Sequence, residues 1–146
     1  MNVGRRVDYA ARALSYLAAR SPGTIVSKAE IQQQQDIPPY YLSKIMKDLV
    51  AARLVQSHTG CKGGFTLAKP AGTITMKDVY EAIEGPLVLM ECLQKGEESC
   101  PYCSVCTQIS VWERAQALLR NHLAGVSLGD IADELGLRPR LLSLHN

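Results

Sequence analysis

The sequence predicts a mostly α-helical chain with a small β-hairpin near its middle and a long helix toward its end. Three observations predict it. Apolar residues recur at three- and four-residue steps through the first third of the chain. A Gly-rich turn, Gly60-Cys61-Lys62-Gly63-Gly64, separates two short β-prone runs. A broad apolar helical stripe then follows a cluster of cysteines.

The first helix is expected over about Val3 to Ala19, with Val7, Ala10, Leu14 and Leu17 on one face. Ser21-Pro22-Gly23 ends it. Ser27 can cap a second helix, Lys28 to about Gln34, with Glu30 at the capping-box position. Asp36-Ile37-Pro38-Pro39 makes the next break, and proline suits a helix's first turn, where its missing N–H has no partner to lose. The third helix runs from about Pro39 to Ala52, with Leu42, Ile45, Met46 and Leu49 facing inward. Leu54-Val55-Gln56-Ser57 and Phe65-Thr66-Leu67-Ala68 are the two strands. Thr75 caps a helix from Met76 to about Ile83, stopped at Gly85-Pro86. The cysteine stretch, about Cys92 to Cys106, has no periodicity and is expected to be a loop. A long helix covers about Thr107 to Ala124, with Ile109, Trp112, Leu119 and Leu123 in one stripe widened by Val111, Ala115 and Leu118. A face that broad can be covered twice, by its own domain and by a second subunit. Ser127 caps a last short helix through Leu135.

The 146 residues are 47% hydrophobic, enough for a packed core, and only 5% aromatic, which argues against a base-stacking platform. The stretch Ala10 to Ala19 is broken by Arg12 and too short to cross a bilayer, and no secretory signal is visible, so the protein is expected to be cytoplasmic, with no membrane partner. Net charge is +2, unevenly spread. Residues 1–70 hold ten Lys/Arg against four Asp/Glu, and residues 71–146 hold six against ten. A basic front half suits a polyanion-facing surface.

Helix, break, helix and Gly-tipped hairpin is the order of a winged helix-turn-helix. There the second helix of the motif enters the major groove of double-stranded DNA, N-terminal residues first. Pro39, Tyr40, Tyr41, Ser43 and Lys44 occupy that end, and Lys47 is placed for phosphate. Ser27 and Lys28 open the preceding helix, where backbone contacts fall. His58, Thr59 and Lys62 are the wing's candidates for phosphate or minor-groove contact. The expected divisions are a DNA-binding domain over 1–85, a cysteine-rich sensor loop over 86–106, and a dimerisation helix with C-terminal segment over 107–146.

Four of the five cysteines, Cys92, Cys100, Cys103 and Cys106, fall within fifteen residues. In a reducing compartment such a group points to metal or redox chemistry rather than disulfides. Thiolates are soft donors that suit iron–sulfur clusters and zinc. Cys100-Pro101-Tyr102-Cys103 also matches a glutaredoxin active site, but no βαβ pattern surrounds it, and no nucleophile–His–acid set or nucleotide loop is present, so the chain is not expected to be an enzyme. Cys61 stands alone on the wing, and His122 and His145 are expected at the surface or an interface.

Taken together, Asp8-Tyr9-Ala10-Ala11-Arg12-Ala13-Leu14, Pro39-Tyr40-Tyr41-Leu42 with Leu49 and Leu54-Val55, the wing Gly60-Cys61-Lys62-Gly63-Gly64-Phe65 with Leu67-Ala68, and the cysteine group followed by Trp112 resemble the Rrf2 family of transcription regulators, over about residues 1–135. The resemblance implies a homodimer that reads a two-fold symmetric operator, with the long helix as its main interface and the first helix near it. It also implies an iron–sulfur cluster, two-iron or four-iron, on Cys92, Cys100 and Cys106, whose spacings of seven and five residues match the family's cluster-binding members. Some relatives draw a fourth ligand from a His three residues after the last cysteine, where this chain has Ile109. Others use an acidic residue of the partner's first helix, and Asp8 sits at that place. Cys103 could instead complete a four-thiolate site for a cluster or for zinc. A thiol switch without metal is the remaining reading. One departure is Thr59, which stands where many members carry an arginine at the start of the wing turn.

Overall fold

The computed structural model describes residues 2–134. Helix α1 spans Arg5–Ala18, α2 Lys28–Gln35 and α3 Pro39–Ala51. Strands β1, Val55–His58, and β2, Gly64–Leu67, form one antiparallel hairpin that pairs Val55 with Leu67 and His58 with Gly64. Then come α4, Met76–Glu84; α5, Cys92–Lys95; α6, Ile109–Ala124; and α7, Leu128–Glu134. The expected mostly α winged helix-turn-helix is the observed fold, with boundaries displaced by a residue or two.

The core forms where the inward faces of α1, α3 and α4 meet. Val7, Ala10, Leu14 and Leu17 pack with Leu42, Ile45 and Leu49, and with Ile74 and Val79. Ile31 is the buried residue of α2, so that short helix is held by one apolar side chain and by polar ties. Arg12 donates to the Gln35 carbonyl over 2.8 Å, and Arg6 pairs with Asp48 of α3 at 2.5 Å.

Local chemistry explains where the helices begin. The Ser27 hydroxyl accepts from the Glu30 N–H at 3.1 Å. The reciprocal half of the expected box is replaced. The Glu30 carboxylate receives the Tyr16 hydroxyl at 2.6 Å and the Arg20 guanidinium, tying α2 to the end of α1. Thr75 and Asp78 form a complete box at α4, and Ser127 and Asp130 exchange both bonds at α7.

Two details depart from the sequence expectation. The cysteine stretch is not an open loop but a chain of single turns: α5, then 3-10 turns at Gly96–Glu98 and Cys103–Val105. Turns of three residues leave no apolar period in a sequence, so nothing in the residue pattern announces them. The last helix also joins the core of the first domain, because Leu128 and Ala132 are fully buried. Bonds from Met76 N to the Val126 carbonyl (2.8 Å) and from Leu128 N to the Ile74 carbonyl (2.9 Å) pin α7 beside the start of α4.

Candidate nucleic-acid interface and cysteine loop

The turn between α2 and α3 is tight because Asp36 takes a left-handed conformation, φ 49°, before the two prolines launch α3. Pro39, Tyr40, Ser43, Lys44 and Lys47 are all exposed on α3, as are Ser27 and Lys28 at the head of α2. These residues are organised before any ligand arrives. The Lys28 ammonium donates to the Ser43 hydroxyl, which in turn donates to the Pro39 carbonyl at 3.1 Å. The Lys44 ammonium lies 4.2 Å from the centre of the Tyr40 ring and donates to its phenol oxygen at 2.5 Å. That hydrogen bond and charge hold the Tyr40 hydroxyl below the ordinary tyrosine pKa.

Tyr41 is placed differently from its neighbour. It is half-buried, edge-on to Tyr9 at 5.4 Å and to Tyr40 at 6.0 Å, so it buttresses Tyr40 from the core side. On the wing, Thr59 and Lys62 are exposed at the tip, together with Cys61. His58 is half-buried, with Nε2 2.9 Å from the Thr66 hydroxyl on the opposite strand, so it braces the hairpin stem. The wing is also tied to the segment entering α2. Val26 N donates to the Phe65 carbonyl at 3.0 Å, and Phe65 N returns the bond at 2.8 Å. Gly64 permits this approach, since a Cβ there would lie 2.2 Å from the Val26 carbonyl oxygen. In the sequence Gly64 reads only as a turn residue; its place just inside a strand is the signal for a close backbone approach.

The four clustered cysteines are half-buried and carry free thiols. Cys103 N donates to the Cys100 carbonyl (3.2 Å) and Cys106 N to the Cys103 carbonyl (3.5 Å), so the last three stand on successive single turns. The Cys103 thiol approaches the Cys92 carbonyl at 3.9 Å. Burial, then the neighbouring Cys92, Cys100 and Cys106 thiolates and Glu97, push the Cys103 thiol up from its ordinary pKa. Among the described residues, no three Cys, His, Asp or Glu side chains are gathered closely enough to hold a metal ion. Four free thiols suit a cluster or zinc in kind and number, but as they stand their side chains are not gathered for coordination.

Asp8 is exposed and pairs with Arg12 at 3.3 Å on its own helix. On α6 no residue is fully buried: Ile109, Leu119 and Leu123 are half-covered, Trp112 is exposed with its Nε1 on the Gln108 side chain at 2.8 Å, and Val111 and Leu118 are each 63% exposed. The Gln116 side chain accepts the Leu89 N–H at 2.9 Å, and Arg120 lies 4.0 Å from Glu81 of α4. His122 is exposed. His145 lies outside the described residues. No helix among the described residues is long and apolar enough to cross a membrane.

Residues 3–134 match the family described as Rrf2, iron-dependent transcriptional regulator. A Mycobacterium tuberculosis protein named as an HTH-type transcriptional regulator is 35% identical over 133 residues, covering 90% of this chain and 81% of that one. The HTH-type transcriptional regulator NsrR of Oceanobacillus iheyensis is 30% identical over 131 residues, 90% of this chain and 89% of its own. Among solved structures, CymR (YrzC), the global cysteine regulator of B. subtilis, aligns with a TM-score of 0.75 over 92% of this chain and 98% of that chain, at 24% identity, a likeness of fold.

Proposed function

Since the chain belongs to the Rrf2 family of transcriptional regulators, and is therefore a DNA-binding regulator rather than an enzyme, we propose that it acts as a homodimer on a two-fold symmetric operator and that an iron–sulfur cluster on its cysteine loop sets its affinity. The cluster, two-iron or four-iron, would sense iron, redox state or nitric oxide. The observation that carries this reading is that Cys100, Cys103 and Cys106 stand on consecutive turns leading into α6, with the Cys103 thiol 3.9 Å from the Cys92 carbonyl. A disulfide framework or a surface thiol would need no such set.

In this reading Tyr40, Ser43 and Lys44 enter the major groove with Pro39 at the helix head, while Ser27, Lys28 and Lys47 meet the backbone. Thr59 and Lys62 meet phosphate or the minor groove, and Tyr41 and His58 hold the reading residues in place. Ile109, Trp112, Leu119 and Leu123 form the dimer seam with the exposed Val111 and Leu118. Cys92, Cys100 and Cys106 hold the cluster. When bound, the cluster supplies iron that can be oxidised, nitrosylated or lost, each of which changes the charge and span of the loop.

The link to DNA runs through contacts already in place. The loop enters α6, whose Arg120 and Gln116 engage Glu81 and Leu89. Half-sites on a duplex have a fixed spacing, so a small change in the separation of two reading heads penalises binding. A coupling of ~1–3 kcal/mol corresponds to roughly 5–150-fold in affinity.

The experiment is anaerobic purification, with the visible spectrum, iron and acid-labile sulfide measured per chain, followed by operator binding before and after cluster removal. Near-equal iron and sulfide with a shift in affinity is the expected result. A protein that stays colourless after iron and sulfide reconstitution, with unchanged affinity, refutes the cluster. A second reading is zinc or bare thiols at the same residues, which offer the same four free thiols; their open spacing favours the bare thiols. One zinc per chain, or a thiol-modification response without metal, is its signature.

A further inference from the structure

We infer that Lys28 and the Pro39 carbonyl fix Ser43 as a hydrogen-bond acceptor, so that Ser43 selects an amino-bearing base, adenine or cytosine, at one position of each half-site. This selection rests on the reading above that α3 enters the major groove, and on nothing in the cysteine loop.

A serine hydroxyl has one hydrogen and two lone pairs, and it ordinarily serves either kind of base edge. In this fold two of its three bonding directions are taken. The Lys28 ammonium, which has no lone pair and can only donate, bonds to the Ser43 oxygen. The Ser43 hydrogen goes to the Pro39 carbonyl at 3.1 Å, within its own helix. One lone pair is left on an exposed side chain, so what Ser43 offers outward is an acceptor. In the major groove the amino groups of adenine N6 and cytosine N4 can donate to it. Guanine O6 and N7 and thymine O4 carry lone pairs of their own and would repel it.

Lys28 is the positioning residue. An exposed serine is free to take several staggered rotamers, and in rotamers turned away from Pro39 the hydrogen is free to donate to a base. The tie across from α2 holds Ser43 in the rotamer that spends its hydrogen internally. Lys28 itself lies in the first turn of α2, where the helix dipole disfavours a cation, so its place there does not serve its own helix. The hydroxyl one turn earlier is set the opposite way. Lys44 donates to the Tyr40 phenol oxygen, which leaves the phenol's hydrogen for an outside acceptor. The exposed face of α3 thus presents a donor at Tyr40 and an acceptor at Ser43.

The test is a selection of duplexes from a pool randomised over both half-sites, made with the full chain as wild type, Ser43→Ala, Lys28→Met and Lys28→Arg. Fluorescence anisotropy then follows on the selected duplex, with each base in turn at the position that Ser43→Ala alters. Lys28 and Ser43 are both exposed, so equal melting temperatures serve as the folding control. At that position the wild type should prefer adenine or cytosine over guanine or thymine by about 3–10-fold, the worth of one net hydrogen bond. Ser43→Ala should erase the preference. Lys28→Met should weaken binding to every duplex through the lost charge and also relax the base ratio toward one. A purely phosphate-binding Lys28 would lower the affinity and leave the ratio unmoved. Lys28→Arg, which keeps a donor, should keep the ratio. The inference is overturned if guanine or thymine is favoured at the position that depends on Ser43, if Lys28→Met retains the wild-type ratio, or if Ser43→Ala alters no position while the wild type still selects a sequence. A wild type that enriches no sequence removes the operator reading together with this one.

Discussion

Replacing Lys62 with alanine removes one charge from the wing tip and nothing from the core. Lys62 is exposed between Gly60, whose φ is 101°, and Gly63, whose N–H closes the turn on the Gly60 carbonyl at 3.0 Å. The substitution should leave the melting temperature unchanged, because the turn is closed by backbone alone. Its effect belongs to binding. Removing one cation from a phosphate lowers the slope of log affinity against log salt by ~0.9, and a dimer has two such cations, so the slope should fall by ~1.8. Between about 50 and 200 mM salt that difference compounds to roughly tenfold. The wild type should therefore hold its largest advantage at low salt and lose about a factor of ten of it over this range. Fluorescence anisotropy with an operator duplex at four salt concentrations gives both slopes. Parallel lines would refute the reasoning, since an uncharged contact or a fold effect shifts the intercept alone. A slope change near ~0.9 would mean that one wing of the dimer touches phosphate and the other does not.

Leu118→Glu, placed at a 63% exposed apolar position of α6, should yield a monomer in sedimentation and cost most of the operator affinity; an unaltered dimer would move the seam elsewhere. Glu30→Ala should destabilise the chain by ~1–3 kcal/mol in urea unfolding, because Tyr16 and Arg20 both donate to that carboxylate. Tyr16 itself supplies a pH test. Burial first, and then the hydrogen bond to Glu30, raise its pKa above the ordinary value of 10.0. Its contribution is thus complete below about pH 10 and is lost as the unfolded chain ionises above it. A Tyr16→Phe variant should lack that alkaline loss. Tyr40 moves the other way: Lys44 favours its phenolate, lowering the pKa from 10.0, so operator affinity should fall as pH rises into the alkaline range and a negative charge appears on the reading face. Tyr40→Phe should flatten that fall, and identical pH profiles would count against Tyr40 at the interface.

What could be read from the sequence was local. Ser27, Thr75 and Ser127 announce helix starts because a capping hydroxyl needs only the next three residues. The apolar spacing of Leu42, Ile45 and Leu49 fixes the inward face of α3 for the same reason. The ties that hold the reading head together were not visible, because they join distant positions. Glu30 looks like half of a capping box, yet it answers Tyr16 and Arg20, and nothing in the intervening Ser21-Pro22-Gly23 signals that pairing. Helix spacing alone puts Tyr40 outward with Ser43 and Lys44, opposite Leu42, Ile45 and Leu49, but the edge-on contact of Tyr41 with Tyr9 of α1 joins distant positions and is not legible there. The cysteines were legible as a donor set, since spacing and residue type suffice for that. That Cys100, Cys103 and Cys106 stand on consecutive single turns was not legible there.

The attachment of α7 beside α4 has a mechanical consequence. The segment from Gly85 to Val126, which includes the cysteine turns and α6, leaves the head at one point and returns to it at another, at the Thr75–Ser127 bridge. A strut fixed at one end can swing without disturbing its base. One fixed at both ends cannot, and any shortening within it becomes a torque between its two footings. Those footings are the far end of α4 and the strand-like step just before it, so a contraction at the cysteines would be delivered as a tilt of α4 against α1 and against α3, the helix that carries most of the reading face.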